Sequence, residues 1–148
     1  MSLIRKVLLT TSSRYAIRAV LYIARNQEKQ KKFGVKKVAE DLTIPQPFLS
    51  KILQELTRRK VLNSTKGKNG GFFIEEEGLS KNLMDVIIVI DGTNPLASCI
   101  LGLPECSSEN PCPLHESTVI AKNAFLKVAE DRSIKEIVDT LDEGMFKL

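Results

Sequence analysis

Residues 35–62 read VKKVAEDLTIPQPFLSKILQELTRRKVL. Val35, Val38, Ala39 and Leu42 recur at helical spacing, so the first eight residues predict a short helix with one apolar side. Pro45 and Pro47 break it, because proline fixes φ and has no N–H to donate. Phe48, Leu49, Ile52, Leu53 and Leu56 then resume the helical period. Two short helices joined by a tight break, with Lys51, Arg58 and Arg59 on the second, predict a helix-turn-helix.

The stretch that follows, NSTKGKNGGFFIEEE, carries Asn-Gly and Gly-Gly between segments able to pair as strands. A glycine-rich, basic hairpin directly after the second helix makes the unit a winged helix-turn-helix. Upstream, Thr11 to Asn26 predicts a helix with Ala16, Ile17, Val20, Leu21, Ile23 and Ala24 on one stripe, started by Ser12 or Ser13 as cap. A lysine-rich connector, QEKQKKFG, joins it to the pair. Downstream, NLMDVIIVIDG predicts a helix capped by Asn82 with Asp85 three residues on. Its Leu83, Val86, Ile87 and Ile90 face the core, Gly92 ends it, and the helix leans on the wing. ESTVIAKNAFLKVAED predicts an amphipathic helix burying Val119, Ile120, Ala124, Phe125 and Val128, and SIKEIVDTL a shorter one capped by Ser133.

Charge is distributed unevenly. Residues 1–70 hold 16 Lys and Arg against 4 Asp and Glu, whereas residues 71–148 hold 6 against 14. A basic first half joined to an acidic second half points to a polyanionic partner for the first half alone. Gln46, Phe48, Ser50, Lys51 and Gln54 lie near the start of the second helix, where base edges are reached. Arg58 and Arg59, further along beside Thr57, suit phosphates. Lys66 and Lys68, flanking Gly67 at the wing tip, are placed for a minor groove or its backbone, and Gly70 and Gly71 let the wing turn tightly. No general base, nucleophile pair or phosphate-binding loop stands out, so an enzyme is not expected. The absence of an apolar run of about 18 residues argues against a membrane span.

All three cysteines and the single histidine of the chain lie in one short stretch, CILGLPECSSENPCPLH, with the spacing Cys99-x6-Cys106-x5-Cys112-x2-His115. Thiolate sulfur is a soft donor suited to zinc, Cu(I) or iron–sulfur clusters. Structural zinc sites usually pair their ligands at shorter gaps, and only the gap from Cys112 to His115 is short here. Wide gaps suit a bulkier object wrapped by the loop, and imidazole can replace thiolate at an iron. Pro104, Pro111 and Pro113 stiffen the loop and limit the entropy lost on wrapping. Spacing alone leaves other readings open: zinc on three cysteines and a histidine, a redox disulfide between two of the thiols, or His115 as an ordinary surface residue.

Taken in order, SSRYAIRAVLYIA, the helix-turn-helix, STKGKNGGFFI, DVIIVIDG and the three-cysteine loop with CPLH resemble the IscR-like family of bacterial winged-helix regulators, over about Leu9 to Leu141. The resemblance implies a homodimer, with the helix from Glu116 to Asp131 crossing to its partner. It implies an iron–sulfur cluster, 2Fe–2S favoured and 4Fe–4S possible, on residues matching Cys99, Cys106 and Cys112, with His115 matching the fourth ligand of the cluster-assembly regulators. In nitric-oxide-sensing members an aspartate near the start of the first helix is a ligand from the other subunit. Arg14 stands at that place here and cannot bind iron, which argues against that mode. The first cysteine gap is six residues where five is usual, Lys66 replaces a common arginine, and Ser50 replaces a glutamate that helps select DNA sites. Lysine lacks arginine's planar fork, so groove reading by the wing is altered.

The expected fold class is therefore mainly α with a small β-hairpin: a winged helix-turn-helix DNA-binding domain over 1–80, a connecting helix over 81–98, a cluster-binding loop over 99–115 and a dimerisation helix with a C-terminal helix over 116–148. The expected function is a cytoplasmic, dimeric transcription regulator. It binds double-stranded promoter DNA, takes its cluster from iron–sulfur assembly donors, and responds to iron or cluster status, redox state or nitric oxide. The dimer forms through Val119, Ile120, Ala124, Phe125 and Val128. The alternative is a zinc-bound or metal-free winged-helix repressor that works by cysteine oxidation.

Overall fold

A computed structural model describes residues 9–92 and 97–141. The outer ends of the first and last expected segments, residues 1–8 and 142–148, and residues 93–96 of the connecting segment lie outside that description. The described elements run in the order α1 (Thr11–Asn26), α2 (Val35–Leu42), α3 (Gln46–Arg58), β1 (Asn63–Thr65), β2 (Gly71–Phe73), α4 (Glu76–Leu79), α5 (Leu83–Asp91), α6 (His115–Glu130) and α7 (Ile134–Asp139).

The helix-turn-helix forms where the prolines predict it. Helix α2 ends at Thr43, whose φ of 55° is left-handed, and the next N–H, that of Ile44, returns 3.0 Å to the carbonyl of Ala39. This reversal satisfies carbonyls that the helix end would otherwise leave open. It also drives Ile44 into the core. Arg18 of α1 reaches across to donate to the carbonyl of Leu42, at 2.6 Å, so a cation sits on the negative end of α2. Helix α3 buries Leu49, Ile52, Leu53 and Leu56, each contributing roughly 1.5–3 kcal/mol when fully withdrawn from water. Phe48, counted by spacing on the apolar side, is instead 45% exposed and meets Tyr15 edge-to-face with ring centroids 5.8 Å apart. It sits at the margin of the apolar stripe, where only one ring of α1 is within reach.

The hairpin pairs Asn63 with Phe73, Ser64 with Phe72 and Thr65 with Gly71. Phe33 adds a third line to it: its N–H and carbonyl exchange 2.8 Å hydrogen bonds with Phe72. This pairing explains Gly71, because a Cβ there would lie 2.8 Å from the Phe33 carbonyl oxygen. Helix α4, a single turn that periodicity does not reveal, follows directly. Its Gly78 packs so closely on the end of the recognition unit that a Cβ would sit 2.1 Å from the carbonyl oxygen of Val61.

The cap of α1 is Thr10, not Ser12 or Ser13: its Oγ1 accepts from the Ser13 N–H at 3.1 Å. Ser13 is then fully buried, one turn inside. Asn82 and Asp85 form a reciprocal capping box on α5, at 2.9 and 3.0 Å, and Ser133 with Glu136 forms another on α7. Helix α5 buries Met84, Val86 and Ile87. It packs mainly on α1, α3 and α6 rather than on the wing, because its apolar face meets the side of the helical layer that the hairpin leaves open. Ile134 of α7 is fully buried in the same core as α1 to α3, so the chain returns to the first layer after α6.

Helix α6 departs from the burial its periodicity predicts. Ala129 is buried against Met84 and Ile87, and Phe125 packs part-way onto them, but Val119, Ile120 and Val128 are 36%, 68% and 57% exposed and Ala124 is exposed too. A helix stripe this wide can meet a single neighbour, α5, over only part of its width.

Two outcomes test this architecture. Gly78→Ala forces a methyl against a backbone carbonyl that cannot step aside, and should cost about 1–3 kcal/mol in urea unfolding. The Tyr22 hydroxyl, donating to Asp41, and then Lys37 hold the Asp41 carboxyl below its ordinary range. A carboxylate depressed in the folded state adds stability above its unfolded pKa and loses it as pH falls through the folded value. Tyr22→Phe should therefore raise the Asp41 pKa in carbon-13 NMR titration and narrow the stability gap between pH 7 and pH 2, by a small amount at this exposed pair.

Candidate functional site

Two groups of side chains are built by this scaffold. The first lies on α3 and the hairpin. Gln46, Lys51, Gln54 and Arg58 are exposed, Ser50 is half-buried, and Gln54 lies 3.5 Å from the Ser50 hydroxyl. These residues lie away from the buried stripe of Leu49, Ile52, Leu53 and Leu56, so one continuous strip of the helix carries them. Arg58 pairs with Glu55 one turn back, and Arg59 caps the helix end. Lys66, Gly67 and Lys68 are exposed at the turn of the hairpin. Both places offer exposed cations, of the kind that hold phosphates, and α3 adds the side-chain amides of Gln46 and Gln54.

The second group is the cysteine loop between α5 and α6. The sulfurs of Cys99, Cys106 and Cys112 all lie within 4.8 Å of one another. Cys99 and Cys112 approach to 3.7 Å, and Cys106 accepts from the Cys112 N–H at 3.5 Å. His115 opens α6, and its Nδ1 lies 3.2 Å from the Cys106 sulfur. The gaps of six and five residues that look long along the chain are thus closed in space. The backbone N–H of Leu103, opposed by partial desolvation and helped by Leu101 and the neighbouring thiols, brings the Cys99 pKa down to about 7. For Cys106 the Cys112 N–H favours the thiolate, but desolvation and the crowded thiols of Cys112 and Cys99 outweigh it and raise the pKa.

The donor set fits a soft metal centre: three half-buried thiols converge with an imidazole at hand, and a cavity of about 200 Å³ opens beside them towards Thr118, Lys122 and Asn123 of α6. Lys122 donates to the carbonyl of Ser98, tying α6 to the start of the loop.

A third feature was not legible in the sequence. Asp91, the last residue of α5, accepts from Thr10 at 3.0 and 3.1 Å and from the buried Ser13 hydroxyl at 2.7 Å. It places a carboxylate at the positive end of α1, worth roughly 0.3–1 kcal/mol in addition to the hydrogen bonds. A polar residue closing an apolar helix just before glycine is the only trace it leaves along the chain. This latch joins the end of α5 to the start of α1.

Comparison with known proteins agrees with this arrangement. The profile of the Rrf2 family, described as an iron-dependent transcriptional regulator, matches residues 9–140. The chain is 30% identical over 135 residues to an HTH-type transcriptional regulator of Aquifex aeolicus, covering 90% of this chain and 92% of that one. It is likewise 30% identical over 136 residues to the HTH-type transcriptional regulator NsrR of Shouchella clausii, covering 91% of each. In fold it is similar to CymR, the global cysteine regulator of B. subtilis, with a TM-score of 0.72 at 16% identity over 90% of this chain and 98% of that one. T. potens IscR gives 0.71 at 16% identity over 98% and 96%.

The wing is tested by charge removal. Lys66→Ala with Lys68→Ala should weaken duplex binding and flatten the dependence of log K on log salt by about 0.9 for each lost phosphate contact. A fluorescence-anisotropy series over salt concentration measures it, and an unchanged slope would remove the wing from the DNA surface.

Proposed function

Because the chain belongs to the Rrf2 family of transcriptional regulators, we propose that it is a DNA-binding regulator whose promoter affinity is set by an iron–sulfur cluster on Cys99, Cys106, Cys112 and His115. The observation that carries this reading is the convergence of three thiols within 4.8 Å, on a loop rooted in a helix that packs against α3. The regulatory relatives are not enzymes, and among the described residues no helix is long and apolar enough to cross a membrane.

In this reading Gln46, Phe48, Ser50, Lys51 and Gln54 meet base edges and Arg58, Arg59, Lys66, Gly67 and Lys68 hold the backbone. The protein works as a homodimer. Val119, Ile120, Ala124 and Val128 of α6, with Ile88 of α5 at 43% exposure, offer apolar side chains left exposed among the described residues, and Phe125 flanks them. Twofold symmetry then supplies a second reading helix for a partly palindromic site. A 2Fe–2S cluster on four protein donors is favoured, and three thiols also suit 4Fe–4S.

A bound cluster supplies a group that responds to iron supply, oxidants and nitric oxide. The residues of this chain supply the coupling. The three thiols and His115 gather the loop. Asp91 holds its root against Thr10 and Ser13 of α1, and Lys122 holds the start of the loop to α6. Ordering the loop fixes α5, and α5 sets the seat of α3. Loss of order releases that seat, a shift of population between two docking geometries. A coupling of this kind is usually worth about 1–3 kcal/mol.

Protein purified without oxygen should be coloured, with iron and acid-labile sulfide in equal amounts, and Cys106→Ser should be pale. Chelator-stripped and loaded protein should differ about tenfold in promoter affinity at fixed salt. Colourless protein containing zinc, or equal affinities of the two forms, would overturn the proposal.

A further inference from the structure

The three thiols are not equivalent partners for one another. Cys106 is engaged on two sides, 3.2 Å from His115 Nδ1 and 3.5 Å from the Cys112 N–H. Cys99 accepts from the backbone N–H groups of Leu103 and Leu101, and its sulfur faces that of Cys112 at 3.7 Å. A disulfide needs a separation of about 2.0 Å, so this pair must close by less than the width of an atom. On the flank of Cys99 the side chains of Ile100, Leu101 and Leu103 are 43%, 51% and 48% exposed, so closing the pair displaces side chains that lie largely at the surface. Cys112 is held, since it lies between Pro111 and Pro113 and a residue before proline is confined to extended backbone.

We infer that in the cluster-free protein Cys99 and Cys112 close into a disulfide on mild oxidation, while Cys106 remains a thiol beside His115. This goes beyond the cluster reading, because it concerns the loop when no cluster is bound. With a peroxide as oxidant the steps balance. The Cys99 sulfur attacks one peroxide oxygen, the O–O bond breaks, and a sulfenic acid and one water result. The Cys112 sulfur then displaces the hydroxyl: the S–S bond forms, the S–O bond breaks and a second water leaves with the thiol proton. The two sulfurs together lose two electrons, and the peroxide gains them. The closed loop keeps only Cys106 and His115 as donors, so it cannot hold a cluster until a dithiol reopens it.

The test uses full-length, metal-free protein and one equivalent of hydrogen peroxide. Free thiols should fall from three to one per chain, with no covalent dimer on a non-reducing gel. Cleavage after glutamate separates the thiols, since Glu105 and Glu109 lie between them and Glu116 beyond. Mass spectrometry should find the Cys99 peptide joined to the Asn110–Glu116 peptide, and Cys106 alkylated. Cys106→Ser should close the same link, and Cys112→Ser should leave a sulfenic acid on Cys99 that dimedone traps. A link through Cys106, a link between subunits, or three surviving thiols would each overturn the inference. Colourless protein from oxygen-free purification would sink the cluster reading and leave this result standing, so the two failures are distinguishable.

Discussion

The carboxylate of Asp91 holds the architecture's two halves in register. It accepts from two hydroxyls at the start of α1: that of the cap residue Thr10, which lies within reach of both carboxylate oxygens, and that of Ser13, the one fully buried polar side chain in the described core. A buried hydroxyl without a partner costs about 1–3 kcal/mol, so Ser13 and Asp91 constrain each other. Because Asp91 also ends α5, the point at which the chain leaves for the cysteine loop is pinned to the first turn of the DNA-binding layer.

The packing around that anchor is continuous from the helix-turn-helix to α6. Helix α5 lies between α1 and α3 on one side and α6 on the other, with Val86 in the main core and Met84 and Ile87 in the smaller cluster with Ala129. Close-packed side chains of this kind move together or not at all. Helix α6 is tied to the start of the loop by Lys122 on the Ser98 carbonyl, and to the start of α5 by Asn82, which reaches the carbonyl of Glu130 at 3.4 Å.

Much of this was legible along the chain because it depends on local rules. The prolines at 45 and 47 stop one helix and start the next, the Asn-Gly-Gly run turns the hairpin, and Asn82 with Asp85 caps α5. The convergence of the cysteines follows the same logic, since a short proline-rich loop has few ways to keep three thiols apart. What local rules missed were residues acting at long range. Thr10 rather than Ser12 or Ser13 caps α1, because Ser13 is taken into the core by Asp91, 78 positions away. Phe33 joins the hairpin from well upstream, pairing with Phe72, and Thr43 adopts a left-handed φ that its side chain does not favour.

The amino-acid sequence by itself determined the kinds of element, their order, the basic surface and the donor atoms of the loop, since periodicity, proline, glycine and charge act within a few residues. Only the tertiary structure decided which side of α6 the chain leaves exposed, that α5 seats on α1 and α3 instead of the wing, and which two thiols face each other. Those outcomes depend on which apolar faces compete for the same neighbour and which polar groups find partners once water is excluded, and neither can be read from spacing alone.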